Sequence, residues 1–256
     1  MTTINLNADL GESFGAWSMG DDASMLQIVK SANVACGFHA GDPTVMQDTV
    51  RLALAHGVSI GAHPAFPDLQ GFGRRVMHLS AQDLTSALLY QIGALQALAQ
   101  AEGGRVSHVK PHGALHNMAC ADAAVANTVV RAVRQLDPKM VLLVPPHSVL
   151  AAVAVAAGQP VRYEIFADRA YQDDAQLVPR SQPGAVLHDA PSCVAHVMGM
   201  IKAQAIVSVS GRQLPCRIDS ICVHGDGPQA VAAARAVRQA LESAGYRLVP
   251  LDQIAS

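Results

Sequence analysis

Charged side chains and aromatic rings are both scarce in this sequence. Asp, Glu, Lys and Arg together make up 15% of the 256 residues, the formal net charge is −2, and no run of Lys and Arg occurs. A protein that binds nucleic acid or an anionic membrane needs a basic surface, so the composition argues against both partners. Aromatic residues are only 4% of the chain, which argues against stacking platforms for bases.

Several common signatures are also missing. The five cysteines are odd in number and scattered, and they form no CxxC pair, which argues against a zinc knuckle and a disulfide framework. No apolar run approaches the ~20 residues of a membrane span, and the first residues show no signal-peptide pattern. We therefore expect reduced thiols, a cytoplasmic location and no membrane partner. Neither GxGxxG nor GxxxxGKS/T is present, so any ATP must be bound by another chain.

The sequence does have a regular alternation of short apolar runs and segments with helical spacing of apolar residues. Hydrophobic residues make up 50% of the chain, which is enough for a large core. The runs indicate about seven strands, most of them apolar on both faces, as is typical of a parallel sheet covered by helices. The strands are predicted at residues 3–6, 33–36, 58–61, 106–109, 140–144, 160–165 and 218–223, with a hairpin around Gly211 and a short eighth strand at 247–251.

Capping residues mark where two helices begin. Asp42, followed by Pro43, and Ser80, followed three residues later by Asp83, are placed to cap the helices after them. Further helices are predicted at residues 22–30 and 121–136, and a long polar loop at residues 171–189.

Polar groups follow nearly every predicted strand, and this decides between two folds. An open doubly wound sheet would spread the strand ends along ~30 Å, since neighbouring strands are ~4.8 Å apart. A closed barrel brings all carboxyl ends to one mouth. We therefore predict a single-domain α/β protein over residues 1–256, a TIM-like barrel of seven strand–helix units.

The stretch SANVACGFHAGD shows how the strands end: an apolar run, a turn at Gly37, then His39 and Asp42. Similar combinations of Gly or Pro with acidic, basic or imidazole side chains follow the other strands. At one mouth they suit acid–base chemistry on a small polar or anionic substrate. The predicted mouth residues are Asp9, Glu12, His39, Asp42, His63, Lys110, His112, Glu164, Asp168, Arg169, His224 and Asp226.

Each of these residues also has a structural interpretation. A histidine at a strand end can simply be hydrogen-bonded, Asp42 can be a helix cap, and Asp168 with Arg169 can be an ion pair. Arg74 and Arg75 in GFGRR either grip a carboxylate or phosphate or end a solvated loop, and Arg180 in LVPR has the same two interpretations. The remaining histidines are given no role, and all five cysteines are interpreted as structural.

A metal site is a separate alternative. His39, His63, His112 and His224 are candidate imidazole ligands, with Asp9 or Glu12 as a carboxylate. No two of them have a local ligand spacing such as HxH or HExxH, so only long-range convergence would bring them together. A divalent metal therefore stays open, and its ligands are not assigned.

Seven segments together resemble one known family. LNADLGESFG, SANVACGFHAGDP, GAHPAFPDLQGFGRR, HVKPHGALHN, FADRAY, LVPR and CVHGD are similar to the motifs of the LamB/YcsF family, the A subunit of bacterial ATP-dependent 5-oxoprolinase, and occur in its order. The resemblance implies a barrel related to the glycoside hydrolase/deacetylase superfamily. It also implies a cytoplasmic protein that acts with subunits B and C and ATP to open 5-oxo-L-proline to L-glutamate.

In that picture subunits B and C activate the lactam by phosphorylation, and this chain opens the ring. Our hypothesis takes Asp9 or Glu12 as the base and His63 or His112 as an aid to proton transfer. Three basic residues would hold the anionic groups of the phosphate and the substrate carboxylate; they are Lys110, Arg74 and Arg75. Two other functions stay open: a stand-alone metal-dependent amidase or deacetylase, and a non-catalytic substrate-binding subunit.

The chain departs from the family pattern at three positions. Ala8, His116 and Ala175 stand where family members usually have Cys, Tyr and Gly. Ala8 indicates that no thiol is needed there, and His116 keeps a polar ring. Ala175 would strain its turn if that position has a positive φ. None of the three removes an acid, His, Lys or Arg from the motifs.

Overall fold

The computed structural model describes residues 2–224 and 229–254. Within these ranges the strands are β1 (Thr3–Leu10), β2 (Ser31–Ala35), β3 (Ser59–His63), β4 (Val106–Val109), β5 (Val141–Val144), β6 (Val161–Phe166), β7 (Ala205–Val207), β8 (Gln213–Pro215), β9 (Ser220–Val223) and β10 (Arg247–Leu248). The α-helices are α1 (Asp22–Leu26), α2 (Pro43–Ala55), α3 (Ala81–Ala101), α4 (Gly113–Ala121), α5 (Ala123–Leu136), α6 (Val149–Ala156), α7 (Ala190–Ala203) and α8 (Ala230–Ser243).

Seven parallel strands close into a barrel. They pair in the order β1, β2, β3, β4, β5, β6, β9, and β9 pairs back with β1. β10 lies outside this ring and pairs in parallel with the first residues of β1. β7 and β8 form a separate antiparallel hairpin. The predicted seven-stranded TIM-like barrel is therefore confirmed, as is the hairpin around Gly211. Among the described helices none has the length and apolarity needed to cross a membrane.

The two predicted helix caps are confirmed. Asp42 accepts hydrogen bonds from the backbone N–H groups of Thr44 and Val45, at 2.9 and 3.0 Å. Ser80 accepts one from the N–H of Asp83 at 3.1 Å, so the first turn of α3 is satisfied. The inward face of α3 then buries apolar side chains at helical spacing, each worth about 1.5–3 kcal/mol; they are Leu84, Leu88, Ile92 and Leu95.

The interior of the barrel corrects one sequence prediction. The strands are not apolar on both faces, because alternate residues of β1 point inward as Asn5, Asn7 and Asp9, and the two asparagines are fully buried. These groups are paired: Asn5 Nδ2 donates to Ser31 Oγ at 2.8 Å, and Asn33 Nδ2 donates to Asn7 Oδ1 at 2.7 Å. A core of hydrogen-bonded polar groups therefore lies beneath the mouth, while apolar side chains face the helices.

Several boundaries also differ from the prediction. β1 runs to Leu10, so Asn7 and Asp9 lie inside the strand rather than after it. Helix α1 ends at Leu26 and not at residue 30. The predicted helix 121–136 is α5, which begins at Ala123 because Asp122 caps it by accepting from the Ala124 N–H at 2.7 Å. The sequence did not predict α4, which precedes it and ends at Ala121. The tail forms the two-residue β10 followed by a 3₁₀ turn at Leu251–Gln253.

The polar loop predicted at residues 171–189 connects β6 to α7 and folds over the mouth. Ala175, in this loop, has φ +68°, the left-handed conformation that favours glycine. The condition under which an alanine is expected to strain this turn, a positive φ at position 175, is therefore met.

Candidate active site

The carboxyl ends of the barrel strands surround a cavity of about 510 Å³, a size suited to a small-molecule ligand. Strand ends form its floor, and the loops after β3 and β6 form its rim. Its polar lining residues are Asp9, Glu12, His63, Arg74, Lys110, His112, His116, Asn117, Arg169, Gln176, Arg180 and His224. The long-range convergence on which the sequence prediction depended therefore occurs for most of the predicted residues.

Lys110 lies at the centre of the floor and is almost fully buried. Its Nζ donates to Asp9 Oδ1 at 2.9 Å and to Cys222 Sγ at 3.1 Å, and it lies 3.1 Å from Glu164 Oε2. Burial alone would lower the pKa of Lys110, but the neighbouring Asp9 carboxylate raises it well above its usual value. Lys110 therefore carries a positive charge and is a cation rather than a nucleophile.

Asp9 is the carboxylate of this floor that reaches the cavity. Burial would raise the pKa of Asp9, but His63 and Lys110 hold it well below its usual value, so Asp9 is ionised. For Glu164, which lies under Lys110 and accepts from Asn7 at 3.0 Å, burial dominates and raises the pKa. Burial likewise raises the pKa of Cys222 well above its usual value, so its sulfur stays a thiol.

A buried chain of neutral groups fixes the position of Asp9. Asn33 Nδ2 donates to Asp9 Oδ1 at 2.9 Å, and His108 Nε2 lies 3.0 Å from Asn33 Oδ1, which can only accept. The His108 ring reaches Asn33 across β3, because the residue between them is Gly61. A Cβ at Gly61 would come within 2.1 Å of His108 Nε2. Burial lowers the pKa of His108 to about 3, so it stays neutral.

Three histidines and one glutamate form a second cluster beside Asp9. His63 is the last residue of β3 and His112 follows β4, and each is held by a backbone carbonyl. His63 Nδ1 lies 2.7 Å from the carbonyl oxygen of Lys110, and His112 Nε2 lies 2.8 Å from that of Phe72. Since a carbonyl can only accept, each of these nitrogens carries the proton. The other two nitrogens, His63 Nε2 and His112 Nδ1, face each other at 3.0 Å.

His39 is the third histidine of this cluster. Its ring stacks on that of His112 with centroids 3.8 Å apart, and its Nε2 lies 3.3 Å from Glu12 Oε1. Burial lowers the pKa of both His39 and His112 well below the usual value, so both rings are neutral at pH 7. One ligand atom from each of the four residues lies within 4.8 Å of the others, so the cluster is able to hold a metal ion.

The GFGRR loop places the Phe72 carbonyl within hydrogen-bonding distance of His112. Gly73 has φ +64°, and a Cβ there would come within 2.9 Å of both the His112 and His39 side chains. Arg74 lines the cavity, but Arg75 does not: it pairs with Asp68 within the same loop. The prediction that Arg75 binds substrate is therefore corrected, since its guanidinium holds the loop and most of its side chain faces solvent.

His224 and Asp168 form an ion pair on the far side of the cavity, with His224 Nδ1 2.7 Å from Asp168 Oδ1. Burial would lower the pKa of His224, but Asp168 raises it above the usual value. Arg180 lies between this cavity and a second one of about 300 Å³ that Asp168 also lines. The predicted Asp226 falls outside the described residues.

Three other predicted residues have different surroundings from those expected. Asp42 is a helix cap that also accepts from the Gly15 N–H at 2.7 Å, and it does not line the cavity. Glu164 is fully buried below the floor. The Arg169 guanidinium donates to the carbonyl of Val178 at 2.8 Å rather than pairing with Asp168, and burial lowers its pKa to about 10.

Sequence reasoning missed the residues that support the site from within the barrel. Asn7, Asn33 and His108 were not singled out, although the alternation Asn5, Asn7, Asp9 was a visible sign of a polar inward face. Cys222 is more than a packing group, because its sulfur accepts from Lys110. His116 lines the cavity, and burial lowers its pKa to about 3.

Known proteins resemble this chain along its whole length. The sequence pattern described as the LamB/YcsF family matches residues 4–256. A protein of Azoarcus sp. (strain BH72), named as the A subunit of 5-oxoprolinase, is 59% identical over 254 residues, with 99% of each chain covered. The crystal structure of a lactam utilization protein from Thermus thermophilus is 45% identical with a TM-score of 0.91, covering 97% of this chain and 99% of that one.

A more distant likeness concerns the fold alone. The catalytic domain of a peptidoglycan N-acetylglucosamine deacetylase from Eubacterium rectale has a TM-score of 0.51 at 12% identity, covering 100% of this chain and 90% of that one. The barrel therefore has a fold that this deacetylase domain shares. With the family pattern over nearly all residues and a relative at 59% identity, this chain belongs to the LamB/YcsF family.

Proposed function

We propose that this chain is the A subunit of a 5-oxoprolinase and opens the lactam ring of 5-oxo-L-proline to give L-glutamate. The names of its relatives support the substrate. The observation that carries the chemistry is the ionised Asp9, held by Lys110 on the floor of a cavity that also contains neutral imidazoles. That floor combines a fixed negative charge with proton-transfer groups, which hydrolysis of an amide requires.

A lactam is a poor electrophile, so the reaction needs activation. We propose that subunits B and C transfer the γ-phosphoryl group of ATP to the lactam oxygen, in keeping with the absence of a nucleotide motif in this sequence. One water then adds to the activated carbon, and the C–N bond breaks as the ring nitrogen takes a proton. A second water hydrolyses the resulting acyl phosphate. The sum is 5-oxoproline, ATP and two waters giving glutamate, ADP and phosphate.

The residues divide this work by position. Asp9 or Glu12 takes the proton of the attacking water, because both carboxylates line the cavity beside His63. His63 or His112 passes a proton toward the ring nitrogen. Arg74, Arg169 and Arg180, at the rim, suit the substrate carboxylate and the phosphate. The five free thiols are in keeping with a reducing compartment, which supports a cytoplasmic location.

The decisive experiment is glutamate formation from 5-oxoproline and ATP in a mixture of this chain with subunits B and C. Asp9→Asn keeps the size of the side chain but removes its charge, so we expect a loss of at least about 10²-fold. Asp48→Asn, an exposed change on α2, is the matched control and is expected to be neutral. Near-normal turnover with Asp9→Asn would rule out this assignment.

The histidine cluster favours a second candidate, a stand-alone metal-dependent amidase or deacetylase. An assay of the chain with lactams and N-acetylated sugars, without ATP or partners, separates the two functions. The third alternative, a binding subunit without catalysis, predicts that the chain alone does not hydrolyse the phosphorylated lactam. Release of glutamate from that activated compound by the chain alone would exclude it.

A further inference from the structure

We propose that Glu12, His39, His63 and His112 form a binding site for a first-row divalent cation, with zinc as the best match. Glu12, His39 and His112 follow β1, β2 and β4, and His63 is the last residue of β3, so the four residues come from four consecutive strands of the barrel. All four are buried, and their ligand atoms lie within 4.8 Å of one another. The proposal depends on the geometry of the rings and not on the substrate, so it stands apart from the proposed function.

The orientation of two rings carries the argument. The carbonyls of Lys110 and Phe72 require protons on His63 Nδ1 and His112 Nε2, at 2.7 and 2.8 Å. The other nitrogens of the two rings, His63 Nε2 and His112 Nδ1, then face each other at 3.0 Å. Only one proton fits between these two nitrogens, and a divalent cation can take its place by accepting a lone pair from each ring. A backbone carbonyl that fixes the tautomer of a histidine is also the usual outer support of a metal ligand.

His39 and Glu12 supply the other two ligands. His39 is 1% exposed, and within residues 2–224 and 229–254 its Nδ1 has no hydrogen-bond partner, so this ring is not satisfied by protein contacts alone. Its Nε2 lies 3.3 Å from Glu12 Oε1, which is 3.9 Å from His112 Nδ1. The carboxylate therefore faces both rings and adds the negative charge that a cation in a buried position needs.

The distances suit a small tetrahedral ion. Ligand atoms at about 2.0–2.1 Å from zinc in a tetrahedron lie about 3.3 Å from one another. The pairs His63–His112 at 3.0 Å and His39–Glu12 at 3.3 Å are near this value, so binding needs shifts of a few tenths of an ångström. Three imidazoles with one carboxylate are ligands that zinc prefers over magnesium or calcium.

The position also gives such a cation a chemical use. His63, His112 and Glu12 line the cavity, and Asp9 Oδ2 lies 3.3 Å from His63 Nε2. A cation bound here would face the substrate space, and with a water as a fifth ligand it would lower the pKa of that water.

The test uses the isolated full-length chain, stripped with a chelator and then dialysed against ZnCl₂. We expect about one zinc per chain by elemental analysis, and with CoCl₂ the visible absorption of a tetrahedral site. His63→Ala and His112→Ala remove ligands, so each should weaken zinc binding at least about 100-fold. His56→Ala is the matched control, since His56 is an exposed histidine at the end of α2 with its ring on the Leu52 carbonyl.

Circular dichroism and thermal unfolding of each variant establish that it is folded. Wild-type chain that binds zinc and cobalt no more tightly than the His63→Ala/His112→Ala double variant would overturn the proposal, and the two rings would then share a proton. A single imidazole proton between them in NMR spectra of metal-free and zinc-treated protein alike would also overturn it. Because no lactam, ATP or partner is present, failure here leaves the ring-opening proposal standing, and failure of glutamate formation leaves the metal site standing.

Discussion

The two sides of the cavity floor bury polar groups in opposite ways. On the lysine side, consisting of Asp9, Lys110, Glu164 and Cys222, charges of both signs are in contact, and Lys110 Nζ contacts the other three side chains. On the histidine side, consisting of Glu12, His39, His63 and His112, the rings of His39 and His112 are neutral, and nitrogens of His63 and His112 face each other at 3.0 Å. The lysine side is held together by opposite charges within the protein, whereas the histidine side brings together imidazole nitrogens that a bound cation would join.

This contrast predicts very different costs for a substitution on each side. Lys110→Met removes the cation and leaves Asp9 and Glu164 as buried carboxyl groups without a counter-charge. Breaking a buried ion pair from one side costs about 3–5 kcal/mol, so we expect a loss of that size in the free energy of unfolding. Urea unfolding at pH 7 measures it, and the exposed Lys202→Met on α7 serves as the control.

The matched change on the histidine side is His112→Ala in the chelator-treated chain. It removes the hydrogen bond to the Phe72 carbonyl, the contact with His63 and some packing, but it leaves no buried charge without a partner. We expect a loss of about 1–2 kcal/mol, clearly smaller than that of Lys110→Met. Equal losses of unfolding free energy in Lys110→Met and His112→Ala would show that a buried charge on the lysine side matters no more to stability than a neutral ring on the histidine side.

Gly61 tests the support beneath the lysine side. In Gly61→Ala the new Cβ occupies the space of His108 Nε2, so the ring must move and Asn33 loses its donor. Overpacking of this kind costs about 1–3 kcal/mol, and Asp9 loses its fixed orientation, so glutamate formation should fall as well. Unfolding free energy and turnover are measured together.

The control for this variant is Gly93→Ala, because Gly93 lies in α3 with open space around its Cα. Alanine favours a helix over glycine by roughly 1 kcal/mol, so that change should be neutral or stabilising. If Gly61→Ala behaves like Gly93→Ala, the His108–Asn33 contact does not orient Asp9.

His224 extends the comparison to pH, since its charge differs from that of the neutral His39 and His112. Asp168 raises the pKa of His224, so its contribution to stability is full below about pH 6.5 and is lost as the pH rises through the folded value. The pKa of Asp168 is lowered despite burial, so its contribution is lost as the pH falls below about 4. The pair therefore stabilises the fold most between these limits.

Asp168→Asn should cost about 1–2 kcal/mol at about pH 5.5 and clearly less at about pH 8.5. In NMR titrations the His224 ring should titrate above about pH 6.5 in the wild type and below it in the variant. A cost that does not change between the two pH values would mean that the contact is only a neutral hydrogen bond.

The sequence predicted the mouth better than the core below it. Strand ends with Gly or Pro indicate a common edge in any parallel barrel. The sequence alone therefore places four of the residues at the mouth: Asp9, His63, Lys110 and His112. The polar residues that face the barrel interior could not be predicted in the same way. An Asn in a short apolar run is equally consistent with an exposed strand end, and only closure of the barrel shows that it is buried. Arg75 shows a second limit, since only the folded loop brings Asp68 to its guanidinium.

A last prediction concerns a position away from both sides. Ala175 lies in the loop over the cavity with φ +68°, and its N–H donates to the Gln172 carbonyl at 3.1 Å, which closes a tight turn. Glycine adopts this conformation without strain, although it also has more freedom in the unfolded chain. Removing the steric strain of an alanine in the left-handed conformation stabilises the fold by about 1–2 kcal/mol. The greater conformational entropy of glycine in the unfolded chain offsets part of this gain. We therefore expect Ala175→Gly to stabilise the protein by about 0.5 kcal/mol.

Thermal unfolding of wild type and Ala175→Gly measures this small gain, and zinc binding and turnover should both stay unchanged, because the turn holds neither the lysine side nor the histidine side. A loss of turnover in Ala175→Gly would show that the rigidity of this loop matters to the reaction. Gln176 and Leu177, the next two residues, line the cavity, so such a result would transfer part of the substrate contact from the floor to the loop above it.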